Sequence, residues 1–394
     1  MCRRPPPLRR RQPPASTGRL YHREPPVLID HSPYPVDTPP RPDFDAESID
    51  RRCRLAVRTQ GLQPRQDLAS LARRLGQTEG SLLGAHAGVF DRRESPLKTR
   101  RLRADWTELL AAAQAIGRHR LQLGNAIASL AIEVEAGGTS PLRQGDLHLG
   151  AWGEGHAVEE CFDGGNVRRS LRFVDDRGRG VLALTLLDRA RLADFYALVE
   201  RFGALALCVP RRAGVPRPPA CIGFGEPTPA QARAWREQWA SMRDGNASDA
   251  LVGALGQPRR RVLRALGADL AQPLAPGAVY DALVRAQASA QGVQTTVANA
   301  GAQLRLAWLP RRVGCERGVV VARGGSVRLR LDECALAEAW CVRLPGRTGL
   351  VHAIECFDRQ GRLVLRLHGA AQAGRGESCD WRHLVHGLLA EAAP

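Results

Sequence analysis

Two arginines have the spacing of a binding pair. Arg328 and Arg330 alternate in SVRLRLDE, so a strand there presents both guanidinium groups on one face, where they can grip carboxylates. A solvated strand face paired with Asp332 or Glu333 would use them equally well. Other chemistry is sparsely signalled. GRGESCD and GVQTTVANAG lack the glycine spacing and following helix of a phosphate loop or dinucleotide fingerprint. No Ser/His/Asp or Cys/His signature and no metal-ligand cluster stands out in the sequence. The ten cysteines are scattered without a Cys-x-x-Cys pair, which points to reduced, mostly buried thiols. His86, His156, His352 and His368 each stand alone on an element, where a hydrogen-bonded structural role is the ordinary one.

The elements that would position such residues are duplicated. Arg168 to Val199 returns, altered, as His352 to Val385. Both stretches run apolar segment, Asp-x-x-Gly turn (Asp175 to Gly178, Asp358 to Gly361), second apolar segment, polar stretch and short helix. Asp194, Leu198 and Val199 answer Asp380, Leu384 and Val385. The echo extends upstream, where Leu123-Gly124-Asn125-Ala126 matches Val297-Ala298-Asn299-Ala300 at the start of each set of strands. Repetition of this kind fixes the architecture before any local assignment. The expected fold class is α+β: an internal duplication of a module with a large antiparallel sheet and packed helices, with a cleft between the halves.

The 394 residues and 44% hydrophobic content suit two ordinary cores. No apolar run approaches the roughly 18 residues that span a bilayer, and no apolar segment follows the charged start, so a cytoplasmic protein is expected. The formal charge of +17 is almost entirely arginine, Lys98 being the one lysine. Such a surface attracts nucleic acid, anionic lipid or acidic ligands at low salt, although most of its arginines are expected in local ion pairs or on a solvated face.

Residues 1–50 read as a disordered tail rich in proline and arginine. Residues 51–209 form the first module, 210–230 a Pro/Gly linker, and 231–394 the second module. DLASLARRLGQTEGSLLGAHAG could be a helix-turn-helix, but Ser81 to Ala85 offer small or apolar groups to base edges, which favours a helical hairpin packed on a sheet. Asp105 and Glu108 predict a capping box, and Thr228 with Pro229 predicts a second helix start carrying Trp235 and Trp239. Leu121 to Glu135, Asp146 to Trp152 and Ala157 to Cys161 are expected strands.

With these landmarks the sequence resembles the bacterial hemin-degrading factors, the cytoplasmic hemin-transport proteins. The resemblance runs from about Asp67 to Leu389 and rests on RLRADWTELLAAAQAIG, HAVEE, RRSLRFVDDRG, LAEAWCVRLPGRTGLVHAIECFDRQG and the duplicated order. It implies heme, or a related tetrapyrrole, held in the interdomain cleft, and a heme oxygenase or reductase as partner. It also implies a proximal histidine in the segment matched by Asp244 to Asp249, where Asn246 takes its place, and a distal arginine before Asn125, where Gly124 stands. An amide is a poor iron ligand beside imidazole, so binding or trafficking is favoured over ring opening. Met242, His86, His156, His352 and His368 are the candidate replacement ligands, and Arg328 and Arg330 the candidate propionate contacts. The alternative is a relative without heme ligation, acting as a basic interaction or nucleic-acid-binding protein.

Overall fold

The two Asp-x-x-Gly turns form, and they form alike. Asp175 Oδ1 accepts the backbone N–H groups of Arg177 and Arg179, and its Oδ2 accepts Arg179 Nε at 2.7 Å. Asp358 does the same with Gln360, Arg362 and Arg362 Nε, again at 2.7 Å. Gly178 and Gly361 close the turns at φ +71° and +75°, the left-handed region that glycine enters without a Cβ clash. Sequence repetition here is repetition of hydrogen bonds, atom for atom.

The structure is a computed structural model that describes residues 46–64, 67–88, 95–204, 226–242, 247–275, 277–346, 349–370 and 376–392. The first half holds α1 (Ala46–Gln60), α2 (Leu68–Arg74), α3 (Glu79–Ala85), β1 (Leu97–Leu102), α4 (Trp106–Ala115), β2 (His119–Gly124), β3 (Ala128–Val134), β4 (Trp152–Cys161), β5 (Val167–Asp175), β6 (Gly180–Leu186) and α5 (Leu192–Phe202). The second holds α6 (Pro229–Ser241), α7 (Ala247–Ala254), α8 (Arg259–Leu266), β7 (Ala271–Leu274), α9 (Ala278–Ala288), β8 (Val293–Ala298), β9 (Gln303–Trp308), β10 (Arg312–Glu316), β11 (Val319–Gly324), β12 (Val327–Asp332), β13 (Glu338–Gly346), β14 (Gly349–Phe357), β15 (Leu363–Gly369) and α10 (Cys379–Ala392).

Several local expectations change. The run from Leu121 to Glu135 is a hairpin, β2 and β3, because Asn125 turns the chain between them. The strand expected over 146–152 does not form: two 3-10 turns, Gln144–Asp146 and Leu149–Ala151, lie there instead, and Trp152 opens β4. Asp105 sits at the N-cap of α4 without a side-chain capping bond, and Glu108 instead accepts a bond from Arg201, so the charge pair wins over the cap. The helix start at Thr228 and Pro229 does form, and Gln231 completes a capping box there on α6. Helix α1 begins at Ala46; the rest of the expected tail, and most of the expected linker, lie outside the described residues.

The strands make two antiparallel sheets. Among the described residues one has nine strands in the order β1-β4-β5-β6-β2-β3-β12-β11-β10, and the other has six, β7-β13-β14-β15-β8-β9. Strands β10 to β12 lie within the second half in sequence yet extend the first half's sheet, with Leu329 opposite Leu130 across β12 and β3. Leu121, Leu130, Leu329 and Leu331 from one sheet and Leu304, Leu306, Leu365 and Leu367 from the other share one central core with α4, α5, α9 and α10. Since the inner faces meet there, the outer faces look away from each other. Helices α1 to α3 cover part of the nine-stranded outer face, where Leu68, Leu71, Leu82 and Leu83 pack against Leu97, Val158 and Val174, so the candidate helix-turn-helix is a hairpin seated on a sheet. Helices α6 and α8 cover the matching part of the six-stranded face through Trp235, Trp239, Val262 and Leu263.

Candidate functional site

Asn125 and Asn299 stand where the halves meet, and each spends its whole side chain there. Asn125 Nδ2 donates to the carbonyls of Ala298 (3.2 Å) and Val364 (2.8 Å), while its Oδ1 accepts the Ile127 and Ala128 amides of its own turn. Asn299 Nδ2 donates to the carbonyls of Gly124 (2.9 Å) and Val181 (2.8 Å), and its Oδ1 accepts the Gly301 and Ala302 amides. The repeated dipeptide is therefore a reciprocal clasp. Gly124 contributes no side chain, and a Cβ there would meet Ser129 Cβ at 3.0 Å and the Ala128 carbonyl at 3.1 Å.

On the outer face of the six-stranded sheet, α7 is tied down by charge. Arg366 on β15 donates to Asp249 on α7 (2.6 Å) and to Glu355 on β14 (2.8 Å). Arg259 on α8 grips Glu355 through Nε (2.6 Å) and Nη2 (2.8 Å) and reaches Asp249 at 2.9 Å. Burial alone would raise the Glu355 carboxyl, but the two guanidinium groups outweigh it and hold the group below its ordinary range. Asp249 is lowered likewise, burial being offset by Arg366 first. The first half repeats the device with Arg172, Glu79 and Glu160, though there burial dominates and raises the Glu79 carboxyl.

Two residues beyond Arg366, on the same outward side of β15, stands His368, opposite Ala353 on β14 and Gln294 on β8. It is half-buried, and its Nδ1 lies 2.9 Å from the Gly369 carbonyl. A carbonyl only accepts, so Nδ1 carries the proton and Nε2 keeps its lone pair. Burial first, then the charges of Arg366 and Arg305, lower the imidazole below its ordinary pKa and keep it neutral. Among the described residues no hydrogen bond reaches Nε2. Arg305, half-buried on β9 opposite Thr296, makes no salt bridge among them either, although its charge helps to hold the Asp249 carboxyl down.

The other candidates are spent or lie elsewhere. His352 donates from Nδ1 to Glu377 (2.8 Å), and its Nε2 accepts Arg343 Nε (3.2 Å), which leaves no lone pair. His156 is fully buried on β4 with Nε2 3.0 Å from Glu154. His86 is buried with its Nδ1 2.9 Å from the Leu82 carbonyl in its own helical turn. Met242 ends α6 and packs against the Trp235 and Trp239 cluster. Asn246 lies outside the described residues.

Arg328 and Arg330 do share a face of β12, as their alternation with Leu329 and Leu331 requires, but it is the outer face of the nine-stranded sheet. The sequence cannot say which sheet carries that face, and the structure sets them on a different sheet from His368 and Arg305. Arg328 is crowded by cations: partial desolvation first, then Arg323, Arg120 and Arg330, lower its pKa. Many other arginines are paired, for example Arg118 and Arg120 with Glu133, and Arg168 with Glu160. No group of three or more His, Cys, Asp or Glu residues that could hold a metal ion occurs among the described residues. None of their helices is long and apolar enough to cross a membrane.

Comparison with known proteins agrees with this architecture. The family described as the haemin-degrading HemS.ChuX domain matches residues 256–388. The hemin transport protein HmuS of Yersinia pestis is 25% identical over 336 residues, covering 82% of this chain and 92% of its own. The hemin transport protein HemS of Yersinia enterocolitica is 25% identical over 294 residues, covering 72% and 84%. Among solved structures, the holo form of PhuS, a heme-binding protein from Pseudomonas aeruginosa, superposes with a TM-score of 0.72 at 26% identity, over 88% of this chain and 99% of that one. The Escherichia coli O157:H7 heme degrading enzyme ChuS superposes with the same TM-score at 21% identity, over 87% and 99%, a likeness of fold.

Proposed function

Since the chain belongs to the family of hemin-degrading and hemin-transport proteins, we propose that it binds heme and serves hemin utilisation. The observation that carries this is the extent of the likeness, with 88% of the chain following 99% of a heme-binding protein, both halves included. The outer face of the six-stranded sheet has donors of the right kind. A neutral imidazole with an open Nε2 suits iron, and the guanidinium of Arg305 suits a propionate. Leu251 and Val252 of α7, with Leu255 just past its end, give that side apolar contacts. Bound heme brings its own redox chemistry; the chain supplies binding, orientation and enclosure.

Gly124 offers no distal guanidinium, and this favours holding and handing on heme over opening its ring. A protein that holds heme needs one that consumes it, so a heme oxygenase or a reductase is the partner this reading assigns, in the cytoplasm. The test is a hemin titration of the full chain followed by absorbance. A saturable one-to-one Soret shift is expected; a spectrum indistinguishable from free hemin at every ratio would overturn the proposal.

A further inference from the structure

The family resemblance places the iron ligand at residue 246, and that residue here is asparagine. An imidazole must come from elsewhere if one is used. A ligating histidine needs its non-ligating nitrogen held by an acceptor, its other nitrogen free of protein partners, and a side chain facing the ligand rather than the core.

Applied to the histidines of the candidate set, these conditions separate them cleanly. His352 fails because both nitrogens are engaged, by Glu377 and Arg343. His156 is sealed on β4 of the other sheet beside Glu154, and His86 is sealed within the helical hairpin of the first half. His368 meets all three. Gly369 holds its Nδ1 proton, Nε2 has no partner among the described residues, and the ring projects on the side of Arg366, opposite the core-facing Leu365 and Leu367. Its surroundings also match an anionic porphyrin. From His368 the sheet steps across β8 to β9, and one side-chain row along stands Arg305. Strand spacing and rise put the two Cα atoms about 12 Å apart. A porphyrin ligated at one point can reach the other with a propionate.

We propose that His368 ligates the heme iron through Nε2, with Arg305 receiving a propionate; this rests on the heme-binding reading above. The backbone carbonyl of Gly369 acts as the positioning group, fixing the tautomer. The ligand is thus supplied by a strand of the second sheet.

The test is spectroscopic and uses the full chain. Hemin is titrated into the natural protein and into His368→Ala, His368→Gln, Arg305→Ala and Met242→Leu, with the Soret position, electron paramagnetic resonance and circular dichroism recorded for each. His368→Ala and His368→Gln should keep the natural circular dichroism, lose the natural protein's imidazole-ligated signature, and bind hemin more weakly by roughly tenfold or more. Added imidazole should restore the signature in His368→Ala. Arg305→Ala should weaken binding without changing the spin state, and Met242→Leu should match the natural protein. If folded His368→Ala reproduces the natural spectrum unchanged, the ligand assignment falls while heme binding stands. If the natural protein itself gives no Soret shift, the heme-binding reading falls and takes this assignment with it.

Discussion

Replacing Asn125 with alanine tests whether the repeated asparagine is a clasp or a ligand contact. The substitution removes two bonds to carbonyls of the other half and two to amides of its own turn. At about 1 kcal/mol net for each, the loss is ~4 kcal/mol if nothing replaces them. Asn125 is half-buried, so water can satisfy some of these groups, and the expected loss is about 2–4 kcal/mol. Asn299→Ala breaks the mirror-image set and should cost the same to within about 1 kcal/mol, since its four bonds have matching lengths. Urea unfolding followed by tryptophan fluorescence measures both. Trp152 is a built-in reporter, because its Nε1 donates to the Gly301 carbonyl beside the Asn299 turn at 2.8 Å. A loss below about 0.5 kcal/mol for Asn125→Ala, together with weakened hemin binding, would refute the clasp and restore a ligand role.

Glu355→Ala leaves the guanidinium groups of Arg259 and Arg366 buried without their shared carboxylate, so a loss of about 3–5 kcal/mol is expected in thermal or urea unfolding. A loss under 1 kcal/mol would show that Asp249 alone suffices. Acid should act through the same cluster. Because Glu355 and Asp249 have folded-state pKa values below their ordinary 4.5 and 3.8, their stabilisation is present above those values and is lost as pH falls through the lowered ones. Unfolding free energy should therefore drop steeply below about pH 4, with a shallower slope in Arg366→Met; equal slopes would contradict the assignment.

The hairpins and their helices were legible because their information is local. An aspartate, a glycine and an arginine within five residues specify the turn, and the apolar runs specify the strands. Strand β12 was legible as a strand but not as a neighbour of β3, since an alternating pattern names a face and leaves the partner open. The same limit split the candidate site. Alternation correctly put Arg328 and Arg330 on one face, yet which sheet carries that face depends on the crossover. Asn125 was visible as a repeat, but its bonds reach residues 173 and 239 positions away, which no local pattern encodes. His352 and His368 look equivalent as single histidines flanking a hairpin. Glu377, 25 residues from one, and the Gly369 carbonyl beside the other make them chemically opposite.

The clasp also says something about how the two halves can change. Asn125 reaches Ala298 and Val364, while Asn299 reaches Gly124 and Val181, the corresponding positions of the other repeat. Such a contact is self-complementary, with the logic of a two-fold dimer interface written into one polypeptide. A half-length ancestor with a single asparagine turn could have joined a second copy of itself by the same four donor bonds. Once fused, the halves no longer had to stay alike, because the partner was permanently at hand and always of the other type. Among the described residues the asymmetry this freedom allows is visible in β10 to β12, which the second half carries and lends to the first half's sheet.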